Sequence, residues 1–490
     1  MQETRNSTSH QGTDKLIFGI VLAVVTFWLF AQTTLNVAPA MASDLGVTTN
    51  VSNIAVSITA LFSGIFIVVA GGLADSFGRV RLTLVGLALN AIGSLLIAAS
   101  PTGTAVWLIA GRIVQGLSAA CIMPATLALM KAYYDGAARQ RALSFWSIGS
   151  WGGSGLCALF GGLVASTIGW RWIFWMSIAI SAASYLLIRG TPESKIKQSN
   201  PMPFDWIGLI AFVVAMVALN VLIGQGSALG WLSPAALVLI AVFMVGAVIF
   251  FHAETHGDNP FVDLRLLSNR PYSGATLSNF LLNGAAGTLL VALSVVQQGA
   301  GLSSLQAGLM TTGYLVAILA TIRVGEKLLQ RWGPRKPMLL GCAITGLGIL
   351  LTTFTFLLAK QYIVVAFFGF TLFGIGLGFY ATPSTDAALS NVPNDKAGSA
   401  SGIYKMASSL GAAFGVAISA AIFTALSHRE GLSPMADIAL GRTDNLALRY
   451  AAAIALLFNV LMVVIAMIAI MWTISKGNLK ASGAPADSTR

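Results

Sequence analysis

Ionisable residues are scarce in this chain, so the few with a pattern stand out. The run GGLADSFGRVR at 71–81 places Asp75 one helical turn before Arg79, with Arg81 next along and with Gly71 and Gly78 allowing tight backbone. Asp75 is expected to cap the start of the next helix, while Arg79 and Arg81 offer donors to carbonyls and carboxylates. Such a set can hold two pieces of protein together and let them go. A degenerate echo, EKLLQRWGPRK at 326–336, carries Gly333, Arg335 and Lys336. Five other ionisable residues fall inside or at the edge of apolar stretches: Arg112, Arg323, Glu326, Asp386 and Lys405. A charge at the centre of a membrane helix costs about 2.5–3.5 kcal/mol, so residues of this kind are candidates for ion coupling. Asp386 and Lys405 flank the short turn at 393–396, and the helical rise predicts that they pair across it.

The elements that position these residues are apolar and long. The 490 residues are 56% hydrophobic and 9% charged, more apolar surface than one soluble core can hide. With about 20 residues per crossing, fourteen spans are predicted, beginning near Leu16, Val51, Leu82, Ala105, Leu143, Trp172, Trp206, Ala235, Tyr272, Leu305, Pro337, Tyr362, Ala397 and Ala451. The net charge of +11 does not mark a nucleic-acid binder, because the basic residues lie in alternate loops and not on one face. One set of loops holds most of them, and the other holds only Arg171, Lys360, Arg429, Arg442 and Arg449. The positive-inside rule therefore predicts both termini in the cytoplasm and a multi-pass protein of the cytoplasmic (cell inner) membrane. The first span is too long for a signal-peptide core and is expected to be retained.

The repeat separation exceeds what six spans need by about two spans. The expected division is a six-helix half at 1–200, an inserted hairpin at 201–252, a cytoplasmic linker at 253–271 with an interfacial helix around Phe261 to Leu266, a second six-helix half at 272–475, and a tail at 476–490. The polar stretch from Ser427 to Arg449 is expected to be an external cap. Cys121, Cys157 and Cys342 lie in apolar spans without disulfide or metal spacing, and no metal or other cofactor is expected.

Several of these segments resemble a known family. GGLADSFGRVR is similar to the loop signature of the major facilitator superfamily, and LIAGRIVQGLSAA at 108–120 to its fourth-span motif, with Arg112 as the intramembrane arginine. Fourteen spans, GWRWIF at 169–174 and YATPSTDAALSNVP at 380–393 narrow the resemblance to its fourteen-span drug:proton antiporters. The resemblance covers nearly the whole chain. It implies an all-α major facilitator fold and proton-driven export of varied amphipathic drugs, quinolones and lipophilic cations among them. The chain departs from the family where Ala31 replaces a first-span aspartate, where Cys157 and Ala158 replace a Gly-Pro pair in the fifth span, and where Ser76 replaces a basic residue.

No GxxxxGK[ST] loop occurs, so ATP does not drive the chain, and HExxH and CxxC are likewise missing. The expected protein is a non-enzyme, a monomer in the lipid bilayer whose partners are protons and small-molecule drugs. Its cavity should lie near the midplane between the halves, with Phe27, Trp28, Phe30, Gln32, Trp146, Trp151 and Tyr380 as candidate walls. Gating is expected from Gly71, Asp75, Gly78, Arg79 and Arg81, and proton coupling from Arg112, Glu326, Asp386 and Lys405. The missing first-span acid leaves open a narrower facilitator or importer of one organic solute.

Overall fold

A computed structural model describes residues 12–194, 205–230, 232–256, 264–302, 306, 309–357, 359–427 and 445–475. Most of the expected external cap, residues 1–11, the tail at 476–490 and residues 257–263 of the linker lie outside the described residues; of the linker helix, a short 3-10 turn at Leu264–Ser268 is described. The described elements are helices, as a long apolar run must be where lipid offers the backbone no hydrogen-bond partner.

The first half comprises α1 (Asp14–Val25), α2 (Gln32–Leu45), α3 (Thr49–Phe77), α4 (Arg79–Ala98), α5 (Val106–Tyr133), α6 (Gly136–Ser147), α7 (Gly153–Thr167) and α8 (Arg171–Ile188). The π-helical turn Thr26–Ala31 joins α1 to α2, and the π-helical turn Ile148–Gly152 joins α6 to α7, so each pair forms one distorted span. A hairpin follows, α9 (Trp206–Leu229) and α10 (Pro234–His256). The second half comprises α11 (Arg270–Gly284), α12 (Gly287–Ala300), α13 (Thr312–Trp332), α14 (Arg335–Thr352), α15 (Ala359–Ser390), α16 (Ala397–Ser427) and α17 (Leu446–Thr473).

Among the described residues, thirteen helical segments are long and apolar enough to cross a membrane. The expected tenth span is α13, which carries Arg323, Glu326, Lys327 and Arg331 and is carried in the bundle by α15, along which it packs. Helix starts follow local chemistry: Thr13, Thr48, Asp205 and Asn269 each accept from a backbone N–H three residues on.

The hairpin helices pack on each other, with Phe212 and Phe250 at 5.2 Å, and α9 also touches α3 and α16. On α10 the side chains of Leu237, Val238, Val245 and Val248 are exposed, the surface of a helix that faces lipid.

The two halves meet where α16 lies along α3 and α5, and where α6 meets α13 and α15. The crossing of α3 and α16 is close because both helices present glycine there. A Cβ on Gly398 would stand 2.3 Å from the Gly71 carbonyl oxygen, and one on Gly71 would stand 2.5 Å from that of Gly398. No side chain fits at either position with the helices in this register. Gly398→Val should therefore force α3 and α16 apart at this end. Spin labels on Ser76 and Asn391 would read the change as a longer distance in the variant than in the parent.

Candidate functional site

At this end of the bundle the first half grips the turn between α15 and α16 from both sides. The Asp75 carboxylate accepts from the backbone N–H of Gly398 at 2.9 Å, from that of Ser399 at 2.9 Å and from the Ser399 hydroxyl at 3.3 Å. Arg79 donates to the same carboxylate through Nε at 3.2 Å and Nη2 at 2.9 Å, and it also donates to the Asn394 carbonyl. Asp75 is 4% exposed. An anion thus sits on the first turn of α16, where unpaired N–H groups and the helix dipole favour it.

The other side of the turn receives cations. Lys131, in the last turn of α5, donates to the carbonyls of Leu389 and Val392 at the end of α15. Arg139 pairs with Asp386 at 3.1 Å and donates to the Ser390 hydroxyl at 2.8 Å, and Gln140 donates to Asp386 at 3.3 Å. The halves are closed here, and this is the closed end of the bundle.

Two expectations are corrected by these contacts. Asp75 does not cap α4; it caps α16 of the opposite half. The start of α4 is capped by Glu193, whose carboxylate accepts from the backbone N–H of Val80 at 3.0 Å and of Arg81 at 2.9 Å. Gly78 has a φ of 119° and a Cβ there would lie 2.4 Å from the Glu193 carboxyl carbon, so this cap also requires glycine. Arg81 stays at the surface, 3.9 Å from Glu193, and takes no part in the grip on the turn.

Asp386 and Lys405 do not pair. Asp386 is held by Arg139 and Gln140, partners on another element that the helical rise along α15 and α16 could not reveal. Lys405 points into a cavity between the halves and lies over Trp146 at 4.7 Å and Trp28 at 5.9 Å. Glu326 pairs with Arg323 on its own helix and accepts from Gln330 at 3.2 Å, while Arg323 lies 4.9 Å over Phe145 of α6. In the echo of the first motif Gln330 stands where Asp75 stands in the first copy, and the grip is not repeated.

Arg112 is 1% exposed and meets no carboxylate among the described residues. Its guanidinium donates to the carbonyls of Ala31 at 2.9 Å and Ala55 at 3.1 Å, to the Thr34 hydroxyl at 3.1 Å and to the Gln115 side chain at 2.8 Å. The first span thus meets Arg112 through the Ala31 backbone and the Thr34 hydroxyl, whereas Gln32 lines a cavity. From Gln115 the network runs through Ser94 and Ser177 to Asn90 and Ser181. Small hydroxyls scattered in apolar spans carry no spacing signal, so reading the sequence missed this chain of bonds.

The cavity between the halves has a volume of about 370 Å³. Its walls include Trp28, Trp146, Trp151, Tyr380, Tyr404 and Lys405, with Asn279 and Asn283 on the α11 side. A second cavity of about 930 Å³ shares Trp28 and is lined by Phe27 and Gln32 of the first span, Asn220 of the hairpin and the α16 face from Ser409 to Ala425. Phe30 lines neither; it packs edge-on against Phe160 at 5.2 Å in the core of the first half. Phe27, Trp28, Phe30 and Trp151 all stand in the two π-helical turns. The extra residue in each turn shifts the side chains that follow to a new face. Gly153 lets the fifth span press on this region, since its Cβ would lie 3.0 Å from that of Trp28. A π-turn thus distorts the span from which the family's proline is missing.

The family model described as Major Facilitator Superfamily matches residues 16–268 and 275–487. The chain belongs to the major facilitator superfamily. Among its similar relatives in this superfamily are the quinolone resistance proteins NorB of Staphylococcus aureus strains MRSA252 and JH9. Each is 52% identical over 438 residues, spanning 89% of this chain and 94% of the relative. Among solved structures, the proton:xylose symporter XylE bound to 6-bromo-6-deoxy-D-glucose aligns with a TM-score of 0.58 at 16% identity, over 91% of this chain and 94% of that one. A bacterial homologue of the iron transporter ferroportin in the outward-facing state aligns with a TM-score of 0.57 at 14% identity, over 92% and 98%. These two likenesses show the major facilitator fold, and the chain is a multi-pass membrane protein of that superfamily.

Asp75→Asn keeps one acceptor but loses the charge facing Arg79 and the α16 terminus, a change of about 1–3 kcal/mol. The closed form should lose about tenfold or more in population, seen as faster alkylation of a cysteine placed at Ser399. Arg112→Lys should lower thermal stability, because a single ammonium cannot reach the Ala31 and Ala55 carbonyls and the Gln115 side chain at once.

Proposed function

We propose that this protein exports amphipathic drugs, quinolones among them, across the cytoplasmic membrane by alternating access in exchange for protons. The observation that carries this reading is the aromatic-walled cavity between two halves sealed at one end by a charged grip, in a chain 52% identical to quinolone resistance proteins over nearly its full length. The loop charges support placing the closed end and both termini in the cytoplasm. In the form described the cavity is then cut off from the cytoplasm, and a return to cytoplasmic access requires release of the α15–α16 turn.

The gate in this reading is Asp75, Arg79, Lys131 and Arg139, with Gly71 and Gly398 permitting the approach of the halves, Gly78 admitting the Glu193 cap behind it and Arg81 outside it. Trp28, Trp146, Trp151 and Tyr380 are the drug-facing walls of the first cavity, and Phe27 and Gln32 belong to the second. Arg112 organises the first half through carbonyls and shapes the field of the cavity region. Asp386 is the candidate for proton exchange, because its counter-ion Arg139 belongs to the opposite half and leaves when the halves part. Glu326 moves together with Arg323 on one helix and keeps its partner. The protein acts as a transporter and not as an enzyme, and the monomer holds the whole pathway.

Membrane vesicles with an acidic interior test the reading. Adding any of several unrelated drugs should collapse the pH gradient in vesicles carrying the parent protein. Asp386→Asn should abolish the collapse while drug binding stays within a few-fold. Gradients that persist with the parent protein and every drug would overturn proton-coupled export.

A further inference from the structure

The first cavity holds one charged side chain among its walls, and it is a cation. Lys405 is 9% exposed, and its ammonium rests against the faces of Trp146 and Trp28. Those rings stabilise the cation but carry no charge to neutralise it. Asp386 is bound to Arg139 and Gln140, and Glu326 is bound to Arg323 and Gln330, so neither of these carboxylates serves Lys405. The second cavity, which meets the first at Trp28, is lined without any acidic residue.

A second observation points to a ligand acceptor. The Nε1 of Trp28 is buried and donates to nothing among the described residues, although Trp28 lines both cavities. A buried donor of this kind is ordinarily satisfied. The Asn279 amide, by contrast, is used by the Tyr404 carbonyl at 3.1 Å and the Ser408 hydroxyl at 2.5 Å. The unfilled capacity of the cavity is therefore a cation and an N–H donor on one aromatic wall.

We propose that Lys405 is the anchor for a ligand carboxylate, with Trp28 as its neighbouring donor, so that the cavity takes aromatic carboxylates in preference to permanent cations. This rests on the reading of the protein as a drug exporter and narrows it. A flat ring between Trp146, Trp151 and Tyr380 supplies apolar contact, and its carboxylate supplies the missing anion. A lipophilic cation gains the same aromatic contact but meets Lys405 as a like charge in a site with little water to screen it.

Equilibrium dialysis on the intact protein in lipid nanodiscs tests this with three probes at neutral pH: nalidixic acid, a quinolone-type carboxylate without a basic amine, its uncharged methyl ester, and tetraphenylphosphonium. The parent protein should bind the acid about tenfold more tightly than the ester, the size of one charge-assisted hydrogen bond. In Lys405→Met the acid should fall to the affinity of the ester, and tetraphenylphosphonium should bind more tightly than to the parent. Lys405→Arg should keep the preference for the acid. A structural loss would weaken all three probes together, so the opposite movement of acid and cation identifies charge recognition. Equal binding of acid and ester by the parent would overturn the proposal whatever the variants do. It would leave drug export standing, which fails only if the vesicle assay fails.

Discussion

The closed arrangement depends on one turn of the second half being held at both of its helix ends by charges of the first. Asp75 meets the N–H groups that open α16, and Lys131 meets the carbonyls that close α15. Each charge is matched to the sign of the helix end that it touches. Arg79 bridges the two by binding Asp75 and the Asn394 carbonyl within the turn. Asp75 and Lys131 bind mainly backbone groups of the two helix ends, and the Ser399 hydroxyl and the Asp386 and Ser390 side chains add to the grip. Its strength is also its reversibility: the bonds to Leu389, Val392, Asn394, Gly398 and Ser399 all cross between halves, so they are lost together when the halves part.

Arg112 and Lys405 are both buried without an ion pair among the described residues, and their environments differ in a way that separates their roles. Arg112 spends its donors on the Ala31 and Ala55 carbonyls and on side-chain oxygens, which fixes three helices of the first half to one another. A planar fork with several donors can do this without a counter-ion. Lys405 instead faces open space and two indole rings. One cation is consumed by the fold, and the other is left for whatever enters the cavity.

The cavity walls owe their placement to irregular backbone. The π-turns at Thr26–Ala31 and Ile148–Gly152 concentrate aromatic residues at the level where the first and fifth spans meet, and Gly153 lets those spans close on each other. Phe30 shows how sharply such a turn sorts side chains. It lies two residues from Trp28 and is directed into the core, not the cavity.

The amino-acid sequence by itself determined the class of the protein, its all-helical build and the motif around Asp75 and Arg79. These follow from quantities local to the chain: hydropathy over about 20 residues, loop charge and the spacing of a short repeat. Arg112 was legible for the same reason, as a charge inside an apolar run. Partners were not legible. Asp75 is bound by Gly398 and Ser399, Lys131 by Leu389 and Val392, and Asp386 by Arg139, each from distant sequence brought together by the packing of two halves. The rise along two adjacent helices set Asp386 and Lys405 at similar depth, but depth does not say which way a side chain points around the helix. Only the tertiary structure turned Asp386 towards α6 and Lys405 towards the tryptophans, because the rotation of each helix is set by which face its neighbours bury.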